Sequence, residues 1–452
     1  MQWPILALVC KALKGSATAP KAAKSFCFVV PVGVRALCFA RQRLLPTQFQ
    51  LVRAHITRTC PALKWEIELD NPWHTWNREH YTPPMVSVAA LLPIVIGLFG
   101  AAIVIPWDKT IITEPLPRNT TATENCGSIN DPKYSRRTVF FPSKDLQLEG
   151  WLYTPKGVEG RPPIVVLAHG IAGQKDMGLH PFAEVFAQRG LAVLVFDYRN
   201  FGGSDGEPRN WVSPKRHLED WEAALDYVRS TLGAEVDVTS IGLWGTSFAG
   251  GHVLVTAAKE GSNISAVVSQ VPHLSGFEVS KQSLKNRGVP QSVRLFLAGL
   301  HDRARDLVGL PPAYLKVAGP PGSNSFMELD DADMQLYLAK HPEHYMGGWQ
   351  NRILARLGNE MSRYNPIHYV PKVKAPVLLV AATKDALCPI AVAHRAAELN
   401  SNVQLLERDV GHFDVYLGDL FDEVSVAQAR FLVEKLGAVV PVHEAAEALP
   451  LF

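Results

Sequence analysis

From residue 240 the chain reads SIGLW, then GTSFAGG, then HVLVTAAK, so a short apolar run, a turn of small residues and a helical pattern follow one another with no spacer. At such a junction the end of a strand and the start of a helix must pass in close contact. The residues two places either side of the central serine must then be small, and Gly245 and Ala249 meet that demand around Ser247. The spacing predicts a strained turn that holds the Ser247 hydroxyl in the open, the local geometry of a nucleophile. A serine that only caps the following helix is the plainer alternative.

The rest of the chain supplies a frame for that turn. Short apolar runs at 163–168 (PIVVLA), 191–196 (LAVLVF), 240–244 (SIGLW), 266–270 (AVVSQ) and 376–381 (PVLLVA) suit strands buried on both faces of a parallel sheet. Between them, residues 177–188 and 217–230 carry apolar side chains at three- and four-residue spacing, as crossover helices do. Period-two patterns at 138–143 (TVFFPS) and 146–155 (LQLEGWLYTP) predict an antiparallel hairpin that opens the domain. The expected fold class is therefore α/β, a mostly parallel, doubly wound sheet. About 100 residues, 271–371, separate two successive strands, far more than a usual connection. That stretch is expected to be a helical lid insertion at about 272–371, with helices at 282–305 and 347–361 and a Pro-rich, aromatic portion at 310–327.

An alcohol is a weak nucleophile at neutral pH, so Ser247 needs a base in reach and a third group to orient that base. Asp385 follows the run PVLLVA, and His412 stands in VGHF further on. Each has an unremarkable alternative, a turn former for the aspartate and a packing role for the histidine. Together with Ser247 they give Ser247 as nucleophile, His412 as general base and Asp385 as its orienting acid. Two backbone N–H groups must face the oxyanion: Ile171, after His169 and Gly170 at the end of PIVVLA, and Phe248, next to the serine at a helix N-terminus. His169, Gly170 and Gly245 are expected to support this loop and turn rather than react, and Cys388 to pack.

His169-Gly170, the run FDYRNFGGS at 196–204 with Gly206 and Pro208, Gly245-Thr246-Ser247, Lys384-Asp385 and Gly411-His412-Phe413 together resemble the α/β-hydrolase superfamily. Within it the chain is most similar to the serine aminopeptidase-like, dienelactone-hydrolase-like and X-Pro-dipeptidyl-peptidase-like branch. The resemblance spans about residues 136–437 and implies the α/β-hydrolase fold and a serine triad but no particular substrate. It also implies that the loop around Asp197 to Gly206 is structural.

Composition narrows the remaining classes. There is no CxxC, HExxH, GxGxxG or GxxxxGK pattern, so no metal or cofactor is expected. The formal charge is +2, yet residues 1–65 hold ten Lys or Arg and no acid, which leaves −8 for the remainder and argues against nucleic-acid binding there. Residues 84–106 (PMVSVAALLPIVIGLFGAAIVIP) contain no charge, with Trp73, Trp76 and Tyr81 before them and Trp107 after. Such a length suffices to cross a bilayer.

The domains are accordingly read as a basic arm at 1–84 (a possible targeting segment), a transmembrane helix or signal anchor at 85–106, a linker at 107–135, the catalytic domain at 136–437 and a tail at 438–452. Residues 1–84 match a transit peptide as well as a cytosolic arm, or precede the true start at Met85. The location expected is a single-pass membrane protein of the secretory pathway or an organelle.

The leading function is hydrolysis of a carboxylic ester, thioester or amide through an acyl-enzyme, with an apolar acyl group as the small-molecule substrate. The same triad would serve an acyltransferase or a serine peptidase, for which Glu328, Asp330, Asp331 and Asp333 could hold an amino terminus. From another class, the fold could serve as a noncatalytic ligand-binding module.

Overall fold

The computed structural model describes residues 106–116, 129–329 and 348–441, together with Gly100 and four short strand segments near the start of the chain. Contacts divide the chain into two units, Met1–Ser87 and Val88–Phe452. In the first, Cys27–Val32 pairs antiparallel with Arg35–Ala40, and His55–Ile56 pairs with Ile67–Glu68.

The second unit is built on one nine-stranded sheet. Its strands are β1 (Ile129–Asn130), β2 (Tyr134–Ser143), β3 (Leu146–Pro155), β4 (Pro163–Ala168), β5 (Ala192–Phe196), β6 (Asp237–Thr246), β7 (Ala266–Gln270), β8 (Val377–Ala382) and β9 (Val403–Arg408), in the spatial order β9-β8-β7-β6-β4-β5-β3-β2-β1. The pairs from β9 through to β5 are parallel, and β3, β2 and β1 join antiparallel. The expected hairpin is β2 and β3, registered from Tyr134 opposite Pro155 to Ser143 opposite Leu146.

Alternation along the central strands explains why both faces are covered. Ile164, Val166 and Ala168 of β4 and Ile241 and Leu243 of β6 enter one core, where α2 (Pro214–Thr231), α3 (Phe248–Glu260) and α5 (Ile390–Leu399) pack. Val165, Leu167 and Trp244 enter the other, against α1 (His180–Gln188) and α6 (Gly418–Leu436). A strand with apolar side chains on both sides is stable only when helices bury both, which gives the doubly wound sheet.

The insertion between β7 and β8 departs from expectation in part. Its first helix, α4 (Gly276–Leu307), runs longer than 282–305; Ser275 caps it by accepting from the Glu278 N–H at 3.3 Å, and it breaks at Gly288 (φ 77°, ψ 171°) just before Pro290. No α-helix forms over the described part of 347–361. There, Ile353–Leu354 pairs with Tyr314–Leu315, and single 3₁₀ turns follow. Tertiary contacts override the helical spacing: Arg356 is drawn to Asp302 of α4 at 2.6 Å, and Trp349 donates to the Ala172 carbonyl at 2.7 Å.

The expected linker at 107–135 is also corrected. Ile111 and Leu116 are buried, Ile112 bridges Tyr314, and β1 and the start of β2 already belong to the sheet. Apolar side chains spaced through 111–116 dock this segment on the insertion. The expected transmembrane helix lies outside the described residues except for Gly100 and Pro106, as do most of the arm, residues 442–452, and Asp330, Asp331 and Asp333. Among the described residues no helix is long and apolar enough to cross a membrane.

Candidate active site

The turn at the end of β6 has the strain its sequence implied. Ser247 adopts φ 55°, ψ −115°, a conformation costly for a residue with a Cβ. Three hydrogen bonds hold it there: Ser247 N–H donates to Gln270 O of β7 at 2.8 Å, and Ser247 O accepts from Gly250 N–H at 3.0 Å and His273 N–H at 2.8 Å. Closeness demands the small neighbour, since a Cβ on Gly245 would lie 2.3 Å from the Ala249 carbonyl oxygen.

Two loops at the same edge of the sheet bring the other side chains in. Asp385 sits beyond β8 and His412 beyond β9, and His412 Nδ1 lies 2.6 Å from Asp385 Oδ2 while its Nε2 lies 3.1 Å from Ser247 Oγ. The second carboxylate oxygen accepts from the backbone N–H groups of Leu387 and Cys388, both at 2.7 Å. Those two donors, invisible in the sequence, fix the rotation of the carboxylate. Both His412 and Asp385 are buried. Cys388 lies beside this pair, and burial raises its thiol pKa well above the ordinary value, so the sulfur stays protonated. Asp385, Cys388 and His412 form a compact cluster of metal-ligand types. The hydrogen bonds of Asp385 and His412 already occupy the atoms that a metal would need.

Phe248 begins α3, so its N–H has no carbonyl one turn behind it, and its direction is that of the helix N-terminus. Ile171 lies on the loop after β4, and both residues line the cavity that holds Ser247. Gly170 explains how near this loop comes: a Cβ there would sit 3.0 Å from Ser247 Cβ and 3.4 Å from its Oγ. His169 makes no hydrogen bond to the serine among those described. Its ring is edge-on to Tyr198 and Phe201, its Nδ1 lies 2.9 Å from Gly170 O, and burial lowers its pKa, so it braces the loop as a neutral ring.

Beneath the loop lies a buried ion cluster that sequence reading missed. Lys175 Nζ lies 2.7 Å from Glu149 and 2.6 Å from Asp197, and its backbone N–H donates to Asp197 Oδ1 at 2.7 Å. Asp197 also accepts from Gly203 N–H at 3.0 Å. One carboxylate therefore ties the 169–175 loop to the turn after β5, the structural part that the resemblance assigned to the loop from Asp197 to Gly206. A lone lysine near glycines carries no pattern that marks it as buried.

Two cavities meet at Ser247. A small one of about 70 Å³ lies on the His412 side, bounded by Ile171, Trp349 and Phe413. A larger one of about 470 Å³ runs under α4, lined mainly by apolar residues such as Val279, Leu295, Phe326 and Met361. That is room for a drug-sized or fatty acyl group. His273 lines it beside Phe248, and burial lowers its pKa to about 4, so it is a neutral ring. Glu328, considered as an amino-terminus ligand, is among the residues lining this cavity; it lies 4.0 Å from Arg287 and sits in a short strand pairing with Gly319.

Comparison with known proteins agrees with this architecture. A family model described as alpha/beta hydrolase fold matches residues 163–419. The quorum-quenching protein AidA of Acinetobacter baumannii is 35% identical over 305 residues, covering 68% of this chain and 97% of its own. The polyketide transferase af380 of Aspergillus fumigatus is 29% identical, covering 67% of this chain and 99% of its own. Among solved structures, the alpha/beta hydrolase GrgF of Penicillium sp. sh18 superposes with a TM-score of 0.56 at 26% identity, covering 67% of this chain and 99% of that one.

Proposed function

We propose, from the premise that this chain belongs to the alpha/beta hydrolase fold family and is an enzyme, that it cleaves a carboxylic ester or thioester of an apolar acyl group through an acyl-enzyme on Ser247. The observation that carries the proposal is the unbroken hydrogen-bonded series from Asp385 to His412 to Ser247, opening on a cavity with apolar walls.

In this reading Ser247 Oγ attacks the acyl carbonyl and passes its proton to His412 Nε2, while Asp385 holds the imidazole by its Nδ1–H and offsets the imidazolium charge. The carbonyl oxygen becomes an oxyanion that accepts from the Ile171 and Phe248 N–H groups; each such donor contributes ~2.7–4 kcal/mol in comparable sites. The proton on Nε2 then moves to the departing oxygen or sulfur as its bond to carbon breaks. A water next enters by the small cavity and gives a proton to His412 Nε2 as its oxygen bonds to the acyl carbon; the bond from that carbon to Ser247 Oγ then breaks, the proton returns to Oγ, and the acid leaves.

A second reading rests on the similarity to a protein named a polyketide transferase. If the small cavity admits an alcohol or thiol in place of water, the same acyl-enzyme makes a transferase. The uncharged run 85–106 serves, in this proposal, as a single membrane anchor for the catalytic unit.

The test is fluorophosphonate labelling of the full chain in detergent, with a panel of acyl esters, acyl thioesters and aminoacyl amides offered with and without added alcohols. Labelling that vanishes in Ser247→Ala, together with turnover of esters or thioesters, is expected. A folded chain that takes up no probe and turns over none of the panel refutes the proposal.

A further inference from the structure

Long helix α4 roofs the larger cavity, and one of its faces has no partner among the described residues. After the break at Gly288, Val289, Val293, Phe296, Leu297, Leu300 and Leu307 recur at the spacing of one helical stripe, and each is 44% exposed or more, up to 86% at Leu307. The opposite face is buried: Ala298 packs with Ala313, Leu315 and Ala355, and Asp302 holds Arg356. Before the break, Phe277 and Leu284 are exposed as well. Scattered surface leucines are ordinary, but a continuous apolar stripe on one helix marks a contact surface.

Two observations say what covers it. The first is where the uncharged run ends. Pro106 is its last residue, and Asp108, two residues on, lies 3.5 Å from Arg294 of α4, while Ile111 packs with Ala298 and Leu295. The exit of the run is thus fastened to the flank of the helix that bears the stripe, with Trp107 exposed between them. The second is continuity with the cavity. Leu284 and Phe296 belong both to the exposed apolar surface and to the lining of the cavity that reaches Ser247. Exposed Lys109, Lys281 and Lys285 near the same surface add positive charge suited to anionic headgroups.

We infer that the apolar face of α4 lies in the interfacial layer of a lipid bilayer, so that an acyl substrate dissolved in the membrane enters the cavity past Leu284 and Phe296 without crossing water. This deepens the proposed function and rests on it for the membrane anchor at 85–106 and for the substrate, but contact of α4 with lipid is a separate matter from catalysis. Apolar side chains on one helix face, lodged among headgroups and upper acyl chains, are held by area removed from water. A second copy of the chain seated on the same stripe is the competing occupant.

The experiment reconstitutes the full chain carrying Ser247→Ala in vesicles of phosphatidylcholine and phosphatidylserine, with an apolar photoactivatable carbene probe dissolved in the bilayer. After illumination and digestion, the peptides that gained the probe are identified. Labelling of residues 289–308 above the level of the exposed Phe140 on β2 supports the inference; unlabelled α4, or cross-links between two copies of α4, overturns it. Because the serine is absent, neither result depends on the hydrolase reading.

A second measurement uses the triple variant Val293→Ser/Leu297→Ser/Leu300→Ser, whose altered residues do not line the cavity. Turnover of a long-chain ester dissolved in vesicles should fall at least tenfold, while turnover of a water-soluble short-chain ester stays within twofold of the unaltered protein. An equal effect on both esters, or none on either, overturns the inference.

Discussion

Replacing Lys175 by methionine isolates the brace beneath the active-site loop. Lys175 is 1% exposed, and Glu149 and Asp197 are no more exposed than that. Burial works against the charge of Lys175, and the two carboxylates outweigh it, so its pKa is raised; burial likewise opposes ionisation of Asp197, and the ammonium of Lys175 leaves its pKa lowered. Lys175→Met keeps the stem, removes the ammonium and leaves two carboxylates buried side by side. Removing one partner of a buried ion pair costs ~3–5 kcal/mol. With a urea slope of about 3 kcal/mol per molar, the unfolding midpoint should drop by roughly 1–1.7 M.

The pH dependence of that deficit has a definite sign. Asp197, with a lowered pKa, contributes stability above the ordinary carboxylate range that is lost as pH falls through its folded value. Lys175, with a raised pKa, contributes stability below the ordinary lysine range that is lost as pH rises through its folded value. The gap between protein and variant should therefore be widest near neutrality and close at both extremes. Urea denaturation of the full chain, followed by tryptophan fluorescence at several pH values, reads both effects. A midpoint change below about 0.3 M at neutral pH with the slope unchanged would refute the view that the cluster holds the loop.

Other consequences are as direct. Asp385→Asn should keep the fold but present the wrong imidazole tautomer to Ser247, lowering kcat by about 10⁴ with little change in KM, as steady-state ester turnover would report. In Gly245→Ala the new methyl would meet the Ala249 carbonyl carbon at 2.6 Å, both parts of a backbone that cannot yield, and soluble folded protein measured by circular dichroism should be lost. Asp176 has its pKa raised to about 6 by burial and by the charge of Asp197, so the folded state keeps a proton that the unfolded chain gives up, and stability falls as pH rises from about 4 to 6. Asp176→Asn should consequently be the more stable form at pH 7.5, by up to about 3 kcal/mol at ~1.36 kcal/mol per pKa unit, and equal or less stable at pH 3.5 in the same thermal melts.

Local rules carried much of this molecule into view before any coordinates. Apolar runs too short for helices and too continuous for half-exposed strands could be satisfied only between two layers of helices, and the crowded turn around Ser247 admitted only small neighbours. Ser247 and Asp385 were recognisable because each follows an apolar strand run, and His412 because it stands after Gly411 downstream of both; in a parallel sheet such loops gather at one edge. Strand β9 and helices α5 and α6 escaped notice: the side chains of β9 are mostly half-exposed or exposed, so it lacks the apolar run that marks its neighbours.

Folding alone decided the rest, because it depends on which distant groups share low-dielectric space. Nothing near Lys175 in the chain foretells Glu149 and Asp197 as its partners, nor do 347–361 announce that contacts of Trp349 and Arg356 will defeat their helical spacing. The two N–H groups that steady Asp385 belong to the main chain and have no letter in a sequence. Likewise, the apolar spacing of α4 predicts a helix with one buried face, and only its packing reveals that the greasier side is the one left outside.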